Sequence, residues 1–374
     1  MMAGGVRILL AGGGTGGHLM PALALAQALI EARPDAEPVL VGVQRGIEPQ
    51  VLPNYPFRFH LLPIEPIHRH QWWRNARWLV ILPGVWHAVG KLLRRERPAI
   101  VIGTGGYAAG PVVLRAQGAG IPTALQEQNA LPGLTTRWLA RRARQVHLGF
   151  PEARARLRIG KHTQVFALGN PIRPPPAAPL EPGDRAAALR EFGLDPARPT
   201  LLVFGGSQGA RAINYAVAGA LERRLLADAN VLWGTGIAHE AVFARYGAVG
   251  RVVVRGFLDP IALAYRAADL VVSRAGAMTV AELCAWGKPS VLVPLPSAAA
   301  DHQTSNARAL EAAGAALHIA ERDLSPHVLA SRVRELLSDR QRLESLAACA
   351  RARGNPNAAR EVMSKILTLL QPAV

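Results

Sequence analysis

The chain has two cysteines in 374 residues, Cys284 and Cys349, which excludes a disulfide framework and a cysteine zinc site. Aromatic residues make up 5% of it and no recognised nucleic-acid motif accompanies its basic stretches, so nucleic acid is not the expected partner. No two aspartates stand two positions apart. The paired carboxylates that hold a divalent ion on a sugar diphosphate are therefore missing, and no metal or other cofactor is expected. No apolar run approaches the ~20 residues needed to span a bilayer. The first one, Val6 to Ala11, leads straight into a glycine turn rather than a signal-peptide cleavage site. A cytosolic protein is expected, one that touches a membrane only from that side. Acidic residues are scarce as well: 26 Asp and Glu face 43 Lys and Arg, a formal charge of +17. Such an excess draws a protein to nucleic acid, acidic lipid or a phosphorylated substrate, unless it reflects only an Arg-rich proteome.

Glycine is plentiful, and it is placed. Gly12-Gly13-Gly14-Thr15-Gly16-Gly17-His18 follows the apolar run Val6 to Ala11, and Gly205-Gly206-Ser207-Gln208-Gly209 follows Leu201 to Phe204. Helical spacing follows each turn. A strand–glycine turn–helix unit aims backbone N–H groups at whatever lies above the strand end, usually an anion. Two of them, one opening each half, predict twin α/β domains facing a shared cleft. Strands are expected at 38–43, 99–102, 122–125 and 145–148 in the first half, and at 200–204, 231–233, 251–254, 269–273 and 290–294 in the second. Alternation with helices means parallel, doubly covered sheets. Pro21 is expected in the first turn of its helix, where a missing N–H costs nothing. The boundaries expected are 1–168 with a returning helix at about 356–374, a proline-rich linker at 169–199, and 200–355.

Gly12, Gly14 and Gly17 satisfy G-x-G-x-x-G, a weak dinucleotide signal by itself. The second strand ends in Gly42-Val43-Gln44-Arg45, without the carboxylate that holds a ribose diol. Arg45 in place of that acid keeps an NADP oxidoreductase open as an alternative, though one that leaves the second glycine turn unexplained. His18 stands at a helix start, where the dipole favours the neutral imidazole a general base needs. A packing histidine is the plainer alternative. Glu127, expected on the loop after a strand, is a second candidate base, against a role in capping near Asn129. Glu282 shares a helix face with Met278 and Thr279 and suits a ribose diol; a solvent-facing glutamate is the rival. Residues 72–97 hold Trp72, Trp73, Trp78 and Trp86 among Arg74, Arg77, Lys91, Arg94 and Arg95. Tryptophan with flanking cations suits a membrane interface, and a core helix with a basic outer face competes evenly with it. Arg137 to Lys161 adds eight cations against one acid, Glu152. His68-Arg69-His70 is expected to be a surface loop. A non-catalytic basic membrane or nucleic-acid binder is the third class left open.

Six segments in collinear order resemble the MurG family of bacterial peptidoglycan glycosyltransferases: Gly13 to His18, Gly103 to Tyr107, Gln126 to Asn129, Gly169 to Arg173, Gly205 to Gly209 and Ala275 to Glu282. The resemblance implies a GT-B glycosyltransferase fold, two doubly wound Rossmann-like domains. It also implies inverting transfer of N-acetylglucosamine from UDP-GlcNAc to undecaprenyl-diphospho-N-acetylmuramoyl-pentapeptide (lipid I), giving lipid II and UDP. By motif position it assigns Thr15, Gly16, Gly17, Asn129, Arg173, Ser207, Leu258, Ala277, Met278, Thr279, Val280, Ala281, Glu282 and Gln303 to the nucleotide sugar. Gly14, Gly105, Gly106 and Tyr107 belong to the loops expected to face the acceptor or a diphosphate. His18 comes first and Glu127 second as base, with no metal required. The implied setting is the cytoplasmic face of the inner membrane, peripherally bound through anionic lipid, beside cell-wall synthesis and division proteins. Leu258 stands where the family usually has Ile and contacts uracil through the main chain. Thr104 replaces a common Met, and His68 to Trp73 departs from the family pattern.

Overall fold

The computed structural model describes residues 5–65, 77–176, 182–206 and 208–370. They form two compact units, Met1–Arg173 with Asn357–Val374, and Pro174–Pro356.

The first unit is built on a parallel sheet of order β3-β2-β1-β4-β5-β6-β7. Its strands are β1 (Arg7–Gly12), β2 (Glu37–Val43), β3 (Arg58–Leu62), β4 (Ile100–Gly105), β5 (Thr123–Glu127), β6 (Gln145–Leu148) and β7 (Gln164–Phe166). Helices α1 (Gly16–Ala32), α2 (Glu48–Val51), α3 (Arg77–Glu96), α4 (Gly106–Gly118) and α5 (Leu134–Leu139) connect them. Alternate residues of a strand point to opposite faces, and both faces here are apolar. Leu9, Ala11, Val39 and Val101 join Val85, Val89, Ala109 and Val113 of α3 and α4 on one side. Ile8, Leu10, Leu40 and Ile100 join Leu25 and Leu29 of α1 on the other.

Pro21 sits well inside α1, whose first residue is Gly16. The helix starts a turn earlier than expected, because Thr15 is its N-cap, so the proline removes a donor from the second turn rather than the first.

The second unit repeats the plan with order β10-β9-β8-β11-β12-β13. Helix α6 (Pro182–Glu191) leads into β8 (Thr200–Phe204), α7 (Arg211–Glu222), β9 (Asn230–Gly234), α8 (Glu240–Phe243) and β10 (Val252–Arg255). Then come α9 (Ile261–Ala267), β11 (Leu270–Ser273), α10 (Ala277–Ala285), β12 (Ser290–Leu292), α11 (His302–Ala312) and β13 (Leu317–His318). Helices α12 (Pro326–Ser338) and α13 (Arg340–Arg353) complete it. The last helix, α14 (Ala358–Leu367), belongs to the first unit. Its Val362, Met363 and Ile366 fill the α1 side of that core, and Gln145 Nε2 donates to the Lys365 carbonyl at 2.9 Å.

The proline-rich stretch is not a free linker. Asn170, 2% exposed, donates to the Gln128 carbonyl at 2.9 Å and pins 169–173 to the first unit. From Pro174 onward the chain belongs to the second unit. Leu189 and Leu194 are buried there, and Arg185 grips Asp269 at 2.9 and 2.6 Å. Prolines shape these turns, while buried leucines and an ion pair decide where they belong.

Candidate active site

In each sheet the strand order reverses beside the first strand, between β1 and β4 and between β8 and β11. Loops at such a reversal diverge to opposite faces and leave a crevice above the strand ends, where α/β proteins bind ligands. The four glycine-containing turns singled out by the sequence are the loops at these two points.

In the first unit the turns interlock. Gly105 and Gly106 have φ of +94° and +74°, and a Cβ on Gly106 would lie 2.1 Å from the Gly13 carbonyl oxygen. Only glycine permits both the turn and the approach. His18, in the first turn of α1, places Nδ1 3.2 Å from the Thr104 carbonyl oxygen. Thr104 Oγ1 donates back to the His18 carbonyl at 2.8 Å. A carbonyl only accepts, so Nδ1 carries the proton and Nε2 holds the lone pair. Thr15 caps α1 without a side-chain hydrogen bond to its amides, which leaves the first N–H groups, Gly16 and Gly17 among them, as outward donors.

Glu127 is the last residue of β5 rather than a loop residue, and it is 3% exposed. Its carboxylate accepts from the amides of Asn129 at 3.1 Å and Gly133 at 3.0 Å. It clamps the loop that carries Asn129.

The sequence reading missed Glu48. Its side chain is fully buried, and Oε1 accepts from the Gly14 amide. A Cβ on Gly13 or Gly46 would collide with its carboxylate. Gly14 therefore gives its amide to an internal acid. Arg45, the residue that kept the dinucleotide alternative open, is paired with Glu65 at 3.4 Å. Nothing in the sequence marks Glu48 except the glycines it requires. Tyr107, packed on Gly14, has its phenol pKa raised by burial and by the nearby Glu48 charge.

In the second unit the reversal opens into a cavity of about 730 Å³ walled by Gly205, Gly206, Arg274, Gly276, Thr279 and Gln303. Helix α7 begins at Arg211, not directly after Gly206, because a turn closed by Gly209 N–H to the Gly206 carbonyl (2.9 Å) intervenes. Ser207 lies outside the described residues. Gly276 is the N-cap of α10, so that helix offers its first amides at the cavity wall. Gln303 Oε1 accepts from the Leu295 amide at 2.9 Å, which turns its NH2 into the donor left for a ligand.

The contiguous assignment of Ala277 to Glu282 splits along the helix. Val280 and Ala277 are buried, at 2% and 8% exposed, whereas Met278, Thr279, Ala281 and Glu282 are half-buried. Glu282 accepts from the Tyr265 hydroxyl at 2.9 Å, and burial pushes its carboxyl above the ordinary range. Leu258 is 6% exposed and packs beside Gly234, leaving its main chain for contact. Arg173 is exposed at the end of its segment.

Arg274 is the second residue missed. It is 8% exposed in the cavity wall, donates to the Val293 and Pro294 carbonyls at 3.1 Å each and meets Glu321 at 2.5 Å. Its only sequence signal was its place in the turn after β11.

The tryptophan-rich region is partly visible. Trp72, Trp73, Arg74, His68 and His70 lie outside the described residues, and Arg77 and Trp78 open α3. The helix runs unbroken through Pro83. Val85, Val89, Leu92 and Leu93 enter the core, while Val80 is 81% exposed and Leu82 43%. Lys91, Arg94 and Arg95 face solvent. Trp86 is not an open ring: the Arg115 guanidinium covers it at 5.0 Å. Trp138 on α5, 78% exposed, was not singled out by the sequence. Among the described residues, no helix is long and apolar enough to cross a membrane.

Residues 8–148 match the model of the glycosyltransferase family 28 N-terminal domain, and residues 200–362 that of its C-terminal domain. The chain belongs to glycosyltransferase family 28. Both switch points of this family 28 chain fall inside the matched regions, and its fold is GT-B. The UDP-N-acetylglucosamine--N-acetylmuramyl-(pentapeptide) pyrophosphoryl-undecaprenol N-acetylglucosamine transferase of Chlorobaculum parvum is 43% identical, over 97% of this chain and 99% of its own. The transferase of that name from Moorella thermoacetica is 39% identical, over 98% and 100%. The crystal structure of Acinetobacter baumannii MurG superposes with a TM-score of 0.75 at 29% identity, covering 97% of this chain and 99% of that one. A UDP co-structure of S. aureus MnaA shares the fold alone, at 14% identity and a TM-score of 0.66, over 98% and 97%.

Proposed function

We infer that this family 28 enzyme transfers N-acetylglucosamine from UDP-GlcNAc to lipid I with inversion, forming lipid II and UDP for peptidoglycan synthesis. The observation that carries the substrate assignment is the cavity at the β8/β11 reversal. It combines two glycine turns, a helix N-terminus, Arg274 and a Gln303 amide donor in one unit, the set of groups a sugar diphosphate needs. Thr279 and Gln303, in the cavity wall, would meet sugar and phosphate oxygens; beyond that lining, Glu282 would meet the ribose and the Leu258 main chain the uracil. The family resemblance also assigns Thr15, Gly16, Gly17, Asn129 and Arg173, all in the first unit, to the nucleotide sugar.

The acceptor hydroxyl attacks the anomeric carbon as its proton passes to His18 Nε2 and the bond to UDP breaks. Amides and guanidinium stabilise the departing diphosphate, and removing one such donor typically costs ~3 kcal/mol of barrier. No divalent ion is assigned a part. The enzyme works at the cytoplasmic face of the inner membrane, where α3 meets anionic lipid and cell-wall and division proteins lie at hand.

UDP release measured with and without a lipid I analogue, in EDTA, tests the whole assignment. Acceptor-dependent release supports it. Release that ignores the acceptor, or stops on chelation, overturns the acceptor or the metal-free reading. Binding of NADP instead of UDP would restore the oxidoreductase.

A further inference from the structure

Helix α9 carries a phenol that the reaction does not use. Tyr265 is 1% exposed. Its ring meets Phe204 edge-on with centroids 6.1 Å apart and tilts against Trp286 at 5.5 Å. Two aromatic walls hold the side chain in one orientation, and that orientation brings its hydroxyl 2.9 Å from Oε2 of Glu282. No other hydrogen bond reaches this carboxylate among the described residues. Burial keeps the phenol pKa well above its ordinary value, so the hydroxyl remains a donor at any working pH. Helix α9 begins three residues after Leu258. One short element thus follows the segment read as holding the base and secures the acid read as holding the sugar.

We propose that Tyr265 is a positioning residue for donor recognition: its O–H holds one oxygen of Glu282 and so aims the other at the ribose hydroxyls of the uridine diphosphate. The proposal rests on the reading of Glu282 as the ribose acid. An unanchored carboxylate rotates among several orientations and must be ordered when ligand binds. One anchored in advance meets the diol already aligned, and the bond it forms is charge-assisted. A tyrosine that merely filled the core would matter through its ring, which phenylalanine preserves.

The test is calorimetric binding of UDP and of 2′,3′-dideoxy-UDP to wild type, Tyr265→Phe and Glu282→Gln. Wild type should prefer UDP by roughly tenfold or more, the worth of a hydrogen bond to a charged group. Tyr265→Phe should lose most of that preference while its affinity for the dideoxy compound stays within about twofold. In kinetics the same variant should raise KM for UDP-GlcNAc and leave kcat nearly unchanged. Equal weakening toward both nucleotides makes the residue structural and overturns the proposal, as does full retention of the preference. If Glu282→Gln itself keeps wild-type preference, the ribose reading of Glu282 has failed instead. A double variant, Tyr265→Phe with Glu282→Gln, avoids a buried charge left without its donor. It should discriminate no less than Glu282→Gln alone, and a further loss shows that the phenol acts by another route.

Discussion

His18 Nδ1 lies 3.2 Å from the carbonyl oxygen of Thr104, at the end of the strand that follows β1 across the sheet reversal. The contact fixes the tautomer and presents Nε2 as the proton acceptor. His18→Ala should lower kcat by about 10²–10⁴-fold, the usual worth of a general base, with little change in UDP affinity. Steady-state kinetics beside UDP calorimetry checks both. An unchanged kcat removes His18 as the base.

Glu127 gives a different signature. Its carboxylate satisfies the amides of Asn129 and Gly133 in a buried setting. Glu127→Ala strands those donors at about 1–3 kcal/mol each, so the melting temperature should fall along with kcat, and KM for the donor should rise. A variant that melts like wild type yet loses turnover would return Glu127 to candidacy as a base.

Much of this was legible in the sequence because a parallel sheet writes itself as apolar runs ended by glycine. Thr200 to Phe204 and Gln145 to Leu148 are strands with the expected limits, and the turns after β1, β4, β8 and β11 became the two switch points. Strand β3 was not seen, since Arg58 to Leu62 lies at the sheet edge with a half-exposed pattern. Glu48 and Arg274 were invisible for a deeper reason. Each acts through main-chain partners brought by folding, Gly14 for one and the Val293 and Pro294 carbonyls for the other. No periodicity encodes such a pairing. The packing of the proline-rich stretch shows the same limit: Arg185 and Asp269 meet only in the folded unit.

Glu48 carries a prediction of its own. Glu48→Ala removes a buried carboxylate and orphans the Gly14 amide, which should destabilise the fold by at least ~1–3 kcal/mol and loosen the turn that leads to His18. Chemical denaturation should show the loss, and kcat should fall with it. A variant of wild-type stability that binds NADP would mean that the loop was an anion site after all.

Glu282 should impose a pH dependence on donor binding. Burial raises its carboxyl above the ordinary 4.5, and the Tyr265 bond opposes this only in part. As pH falls through the raised value the carboxylate is protonated, its charge-assisted bonds weaken, and KM for UDP-GlcNAc should climb. In Glu282→Gln that climb should be absent. Stability moves the opposite way. The folded state holds this proton more tightly than the unfolded chain, so the associated stability is complete below 4.5 and is lost as pH rises through the folded value. Glu282→Gln should therefore match or exceed wild type in neutral-pH denaturation. A variant clearly less stable there would contradict the burial argument.

Helix α3 turns one face to the core and leaves Val80 and Leu82 exposed, with Lys91 and Arg94 also facing solvent. A cation near an anionic surface is worth about 1 kcal/mol. Reversing Lys91 and Arg94 together to Glu, a change of four charges, should thus cut partitioning onto phosphatidylglycerol vesicles by on the order of 10³-fold, and raising salt toward 1 M should erase most of the difference by screening. Val80→Ser should weaken binding in a way salt does not mask, because its contribution is apolar burial. Turnover of a soluble short-chain acceptor should persist in both variants, since neither charge nor apolar depth is needed to reach it. Vesicle binding that survives the charge reversals at low salt would leave α3 as a core helix with a basic outer face, and the lipid-linked acceptor would have to be met by another surface.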